Sequence, residues 1–326
     1  MRYFARLVSI LLLCAAFFTA AGCTAVPQKN TAVGFYMDTV ITLTGYCDEE
    51  LLREAIGLCA EYEKLLSRTL QGSDTWNINH ANGEAVTVSD DTVRVLELAL
   101  EVCESSGGAL DITIAPAMDL WDFKSGEALI PADEDIVAAM DRVDYTKVSL
   151  DGNTVRVPEG MQIDLGAVAK GYIADRVAQF LSDKGVESAA LNFGGNVIAM
   201  GSKPDGSGWN IGIQDPAAPT GDSAAVLSVQ GLSVVTSGVY QRGFDLDGVR
   251  YRHILDSETG YPVQNGVASV TIISSESALG DALSTACFAM GGDGLSFAES
   301  MGAEAVMIYS DGTMECTDGA KKLLIH

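Results

Sequence analysis

Positive charge is scarce: 20 Lys and Arg face 44 Asp and Glu, for a net charge of −24. That balance excludes a general basic surface for nucleic acid or anionic lipid. A polyanionic ligand would need local neutralisation, for which a metal ion is one means. Histidine is scarcer still, with three in the chain. His80 falls in a polar loop and His326 is the last residue, which leaves His253 as the internal candidate for a general base. No CxxC pair and no Cys/His cluster at zinc spacing occurs, so no metal-thiolate site is implied. Beyond Cys14 and Cys23 the cysteines are Cys47, Cys59, Cys103, Cys287 and Cys316. That is an odd number, which excludes a complete disulfide framework, and Cys59, Cys103 and Cys287 read as buried free thiols. There is no GxSxG elbow around Ser237, no repeat at solenoid spacing and no low-complexity block.

Long apolar runs are also missing apart from the start. Arg2 and Arg6 precede an apolar core from Leu7 to Phe18 and a small-residue stretch from Thr19 to Gly22. This is the pattern of a secretion signal, too short to span a bilayer, which takes about 20 residues. Ala20-Ala21-Gly22-Cys23 resembles the lipobox of bacterial lipoproteins, with Cys23 as the lipidation site and mature N-terminus. The expected organisation is a signal at 1–22, a polar tether at 23–33 and a folded domain at 34–326. The expected location is outside the cytoplasm, lipid-anchored to the outer face of the cytoplasmic membrane, or to the periplasmic side if an outer membrane exists.

Helical periodicity predicts helices over 49–66, 90–106, 167–184 and 278–290, the last two closed by Gly185 and by Gly291-Gly292. Strand signals run over 153–157, 189–200, 210–214, 225–236, 249–255, 267–274 and 305–309. Asp247-Gly248 and Asp311-Gly312 predict type I′ hairpins. The fold class is α+β, with mixed or antiparallel sheets and packed helices rather than a doubly wound parallel sheet.

Three segments carry chemistry. In Gly280–Thr285, Asp281 and Thr285 are four apart and share one helix face, offering hard oxygens to Mg²⁺; an Asp near a helix start is more often a cap or a favourable dipole partner. In Ile163–Asp175, a strand-like start runs through Gly166 into a helix with Lys170 one turn in, which favours an anion, though a plain strand-to-helix connection reads the same way. In Val234–Pro262, His253 lies within a β-rich hairpin, as a base or as a structural histidine.

Taken together these segments resemble, in order from Met37 to Gly292, the ApbE family of FAD:protein FMN transferases. The shared stretches are Met37-Asp38-Thr39, Ser67 with Ser73 and Asn79, Gly108–Phe123, Ile163–Asp175, Asn192–Gly201, Trp209–Pro216, the His253 segment and Gly280–Gly291. The resemblance implies an enzyme that binds FAD as substrate with Mg²⁺ and attaches FMN by a phosphoester to a Ser or Thr of an exported acceptor protein, releasing AMP. It implies FAD contacts at Met37, Ala109, Leu110, Asp111, Asp164, Lys170 and Ile254. It implies a metal held by the backbone oxygen of Ala167 with Asp281 and Thr285, and a base at His253. An FAD pyrophosphatase giving FMN and AMP, and a non-catalytic flavin-binding lipoprotein, are the alternatives. Three positions depart from the family pattern: Thr69 where an aromatic is common, Asp256-Ser257-Glu258 for Asp-Pro-Arg, and Ser284 where some relatives have a second acidic ligand.

Overall fold

Every pairing between named strands is antiparallel. The computed structural model describes residues 28–121, 123, 128–219, 221–239, 243–246 and 249–325. The strands are β1 (Asn30–Tyr36), β2 (Thr39–Gly45), β3 (Val86–Thr87), β4 (Ser149–Asp151), β5 (Thr154–Arg156), β6 (Ala189–Phe193), β7 (Asn196–Met200), β8 (Trp209–Gln214), β9 (Ser223–Val229), β10 (Leu232–Gly238), β11 (Gly243–Leu246), β12 (Val249–Arg252), β13 (Val267–Ser274), β14 (Glu304–Tyr309) and β15 (Met314–Cys316). The described helices are α1 (Glu49–Leu66), α2 (Asp74–Asn79), α3 (Asp90–Ser105), α4 (Ala115–Trp121), α5 (Asp133–Met140), α6 (Gly166–Asp183), α7 (Ser277–Met290), α8 (Gly294–Ser300) and α9 (Asp318–Leu323). Helices and antiparallel sheets in one chain make the fold α+β.

The main sheet runs β1-β2-β6-β7-β10-β13-β14-β15. Its interior strand β13, VASVTIIS, is buried at every position because both faces are covered. On one face lie α1, α3, α6 and α7, whose apolar stripes share a core with Ile41, Leu43, Val270 and Ile272. On the other, β8, β9 and α9 pack Trp209, Leu227 and Ala320 against Val234, Ile273 and Val306. The periodicity in α1 arises from Leu52, Ala55, Ile56 and Cys59 facing that core, with Glu49 and Glu50 at its first turn and Lys64 at its last. The Ser89 hydroxyl accepts the Thr92 amide and starts α3. Cys59, Cys103 and Cys287 are buried free thiols, each pushed up to about 12 by burial above all.

Several expectations are corrected. The segment read as a tether to residue 33 already pairs in β1 from Asn30, because the backbone ladder to β2 takes in Asn30–Val33. The run 189–200 is two strands folded back at Gly194-Gly195, and 225–236 is two strands, β9 and β10, divided at Gln230-Gly231. Asp311-Gly312 does join a hairpin, but only Gly312 has positive φ, so the turn is not type I′. Two consecutive positive φ values instead occur at Met37 (53°) and Asp38 (56°), between β1 and β2. Residues 1–27, with the expected signal, Cys14 and Cys23, lie outside the described residues, as do Asp247-Gly248 and His326. No described helix is long and apolar enough to cross a membrane.

Candidate active site

Helices α6 and α7 cross at a glycine. A Cβ on Gly171 would lie 2.6 Å from the Ser277 carbonyl carbon and 2.8 Å from Ala278 Cα, so only glycine permits this approach. The crossing sets Asp281, 4% exposed, against α6. Asp281 Oδ2 accepts the backbone N–H of Gly171 at 2.9 Å, and Oδ1 accepts from Lys170 Nζ at 3.2 Å. In a regular helix the Gly171 amide is the donor to the Ala167 carbonyl four residues earlier. Its contact with Asp281 brings that carboxylate to the helical turn that begins at Ala167. Ala167 carries a backbone carbonyl, and Asp281 and Thr285, four apart on α7, carry a carboxylate and a hydroxyl, the hydroxyl 3.5 Å from the Asp281 carbonyl oxygen; donors of this hard-oxygen kind are the type that suits Mg²⁺. The described residues contain no group of three or more His, Cys, Asp or Glu placed to hold a metal ion.

Asp281 is not the cap of its helix. That role falls to Asp175 on α6, whose two carboxylate oxygens accept the amides of Ser277 and Ala278, both at 2.8 Å. Ser284 is turned inward, donating to the Asp281 carbonyl at 2.9 Å and meeting the Ser237 hydroxyl at 2.8 Å. A carboxylate at 284 would face this buried serine pair, and Ser237 is an interior partner rather than a nucleophile.

Two lines of contact converge on the N-terminus of α6. In the first, the Asn79 side chain bonds both backbone groups of Ile163, at 2.8 and 2.9 Å. The Asp164 amide donates to the Ile112 carbonyl at 2.7 Å, and Asp164 Oδ1 accepts the Gly166 amide at 2.7 Å. These bonds tie the Ala109–Thr113 loop to the start of α6. Asp111 is buried within that loop, accepting from Thr113 and from the Tyr145 amide, and burial above all raises its carboxyl. In the second line, Gly194 sits against Thr39, next to the Met37-Asp38 turn, and two residues later Asn196 accepts from Lys170 Nζ at 2.7 Å. Met37 is pinned by its amide to Glu63 Oε1 at 3.0 Å.

His253 lies half-buried in the bend just after β12 rather than within the strand. Trp121 anchors this hairpin region: its indole donates to the Gly260 carbonyl at 2.8 Å and its ring stacks with Tyr251. The neighbours of His253 join it to both parts of the site. Arg252 lies over the Phe288 ring of α7, Ile254 packs in the core that contains Leu110 and Leu165, and Ser257 Oγ bonds the Gly108 carbonyl. Asp256, in the stretch departing from Asp-Pro-Arg, closes its own turn by accepting the Glu258 and Thr259 amides. Thr69 is exposed and bonded to Ser67.

The ApbE family model matches residues 37–307. The chain belongs to the ApbE family. Among ApbE relatives, the FAD:protein FMN transferase of Treponema pallidum (strain Nichols) is 36% identical over 287 residues, covering 82% of this chain and 79% of that one. The enzyme of the same name from Klebsiella pneumoniae (strain 342) is 39% identical over 248 residues, covering 75% and 77%. The crystal structure of the ApbE protein from Thermotoga maritima superposes with a TM-score of 0.84 at 32% identity, covering 91% of this chain and 99% of that one. That of the Vibrio cholerae flavin transferase ApbE gives 0.82 at 27%, with 91% and 99% covered.

Gly171, Asp175 and Asn196 had no role in the sequence reading. A glycine inside a helix costs about 1 kcal/mol relative to Ala, which was the available signal at Gly171. Nothing local distinguishes Asp175 or Asn196, whose partners are 102 and 26 residues away.

Proposed function

We propose that this chain transfers the FMN part of FAD to a Ser or Thr hydroxyl of an exported protein, releasing AMP. The observation that carries the reading is the meeting of Asp281 with Lys170 and the Gly171 amide in the first turns of α6, in a chain of the ApbE family. The acceptor oxygen would form a bond to the FMN-side phosphorus as the bond to the bridging pyrophosphate oxygen breaks, with AMP departing. The acceptor's proton would pass to His253, since a hydroxyl is a poor nucleophile at its ordinary pKa. Lys170, one turn into α6, would offer a cation to the pyrophosphate. Asp164, Asp111 with Ala109 and Leu110, Met37 and Ile254 would hold the nucleotide and flavin. Mg²⁺, held by Ala167, Asp281 and Thr285, would neutralise charge on the pyrophosphate and the leaving AMP.

The net charge of −24 supports the need for that ion, because few basic groups are available in its place. The N-terminal pattern through Cys23 supports export with a lipid anchor, which would bring the enzyme to acceptors outside the cytoplasm. The test is an incubation of the signal-less protein with FAD, Mg²⁺ and exported flavoproteins, followed by a denaturing gel. Flavin fluorescence should remain on the acceptor band, and Asp281→Ala or excess chelator should reduce it at least about a hundredfold. FMN and AMP appearing with no labelled acceptor would make the protein a hydrolase instead.

A further inference from the structure

Lys170 is held between two oxygens. Its Nζ donates to Asn196 Oδ1 at 2.7 Å and to Asp281 Oδ1 at 3.2 Å, so the shorter bond goes to the neutral amide and not to the carboxylate. Asn196 is 1% exposed, and its Nδ2 has no hydrogen-bond partner among the described residues. Turning the amide over would aim those protons at an ammonium that itself has only donors. The orientation is therefore dictated by Lys170. A buried, unpaired donor is destabilising, and an apolar side chain of the same size would avoid it. Groups kept in that condition at a polar site call for a role.

The backbone makes Asn196 a firm support. It is the first residue of β7, paired with Phe193 of β6 on one side and Val235 of β10 on the other. The preceding Gly194 and Gly195 have φ of 64° and 108°, which lets the turn close against Thr39. Lys170, by contrast, reaches out from α6 on a flexible four-carbon stem.

We infer that Asn196 is a positioning residue that retains Lys170 when Asp281 exchanges the ammonium for a divalent cation. This rests on the roles proposed above for Lys170 and Asp281. Two cations cannot share one carboxylate oxygen without strong repulsion, so metal binding opens the Lys170–Asp281 pair. The neutral Asn196 oxygen takes no part in that exchange. It holds the lysine by the bond that is already shorter, leaving the freed N–H to meet a pyrophosphate oxygen without a search through stem rotamers.

The test is a double-mutant cycle in the whole chain with Asn196→Leu, Lys170→Met and the double variant. FAD affinity is read by flavin fluorescence quenching with Mg²⁺ present, Mg²⁺ affinity by calorimetry without FAD, and folding by Tm. Asn196→Leu should weaken FAD binding about tenfold with Tm within about 2 °C of wild type, and should weaken it no further in the Lys170→Met background. It should also weaken Mg²⁺ binding, because Lys170 then rests on Asp281 alone, and Lys170→Met should remove that effect. Additive losses in the double variant would make Asn196 a structural residue and overturn the inference alone. Unchanged FAD affinity in Lys170→Met would overturn the proposed role of Lys170, and this inference with it.

Discussion

The backbone N–H of Gly171 donates to Asp281 Oδ2 at 2.9 Å, so a helix interior amide serves a side chain of a neighbouring helix. The contact is possible because Gly171 has no Cβ to hold the helices apart. Gly171→Ala should therefore separate α6 from α7 by moving the backbone at Ser277, an overpacking that costs about 1–3 kcal/mol. Tm should drop by about 2–10 °C, with Mg²⁺ affinity falling alongside. Unchanged Tm and metal affinity by calorimetry would show that the crossing has no part in forming the site.

The cap supplied by Asp175 makes stability depend on pH. Burial is the main reason its carboxyl is pushed up from 3.8 to about 6; the Ala278 and Ser277 amides oppose this, while Glu276 and Asp281 add to it. Between those two values the folded chain binds the proton and the unfolded chain does not. The contribution of this group is thus full below pH 3.8 and declines as pH rises through about 6. Asp175→Asn lacks this dependence. Wild-type Tm minus variant Tm should fall between about pH 4 and about pH 7 in thermal scans, and a rising difference would contradict the buried, capping carboxylate.

Replacement of His253 separates chemistry from binding. His253→Ala should abolish FMN transfer in the gel assay while FAD affinity stays within a few-fold, because the contacts proposed for the nucleotide are made by other residues. Wild-type transfer should also show an acid limb that FAD binding lacks, since only neutral imidazole accepts a proton. Equal losses of transfer, affinity and Tm would mark the histidine as structural.

Cys23→Ser addresses the anchor. The variant should leave the membrane fraction on cell fractionation while its soluble domain keeps full transferase activity, as several acyl chains hold firmly and none holds at all. A serine variant that still sediments with membranes would refute the lipidation site.

The sequence by itself determined the local elements and the family. Helix periodicity located α1, α3, α6 and α7 to within a residue or two, because one-sided burial repeats every 3.6 residues and is written in neighbours. It also put Asp281 and Thr285 on one face, since four residues of helix set that relation without any partner. It missed the turn at Met37-Asp38, where non-glycine residues adopt positive φ against their local preference, under the constraint of the β1–β2 register. Only the tertiary structure decided that Asp175 and not Asp281 caps α7, that Ser284 turns toward Ser237, and that Lys170 lies between Asn196 and Asp281. Each of these depends on a hydrogen bond between groups at least 26 residues apart. An Asp or Asn has the same local chemistry whichever partner it finds, and the partner is chosen by how helices and strands pack.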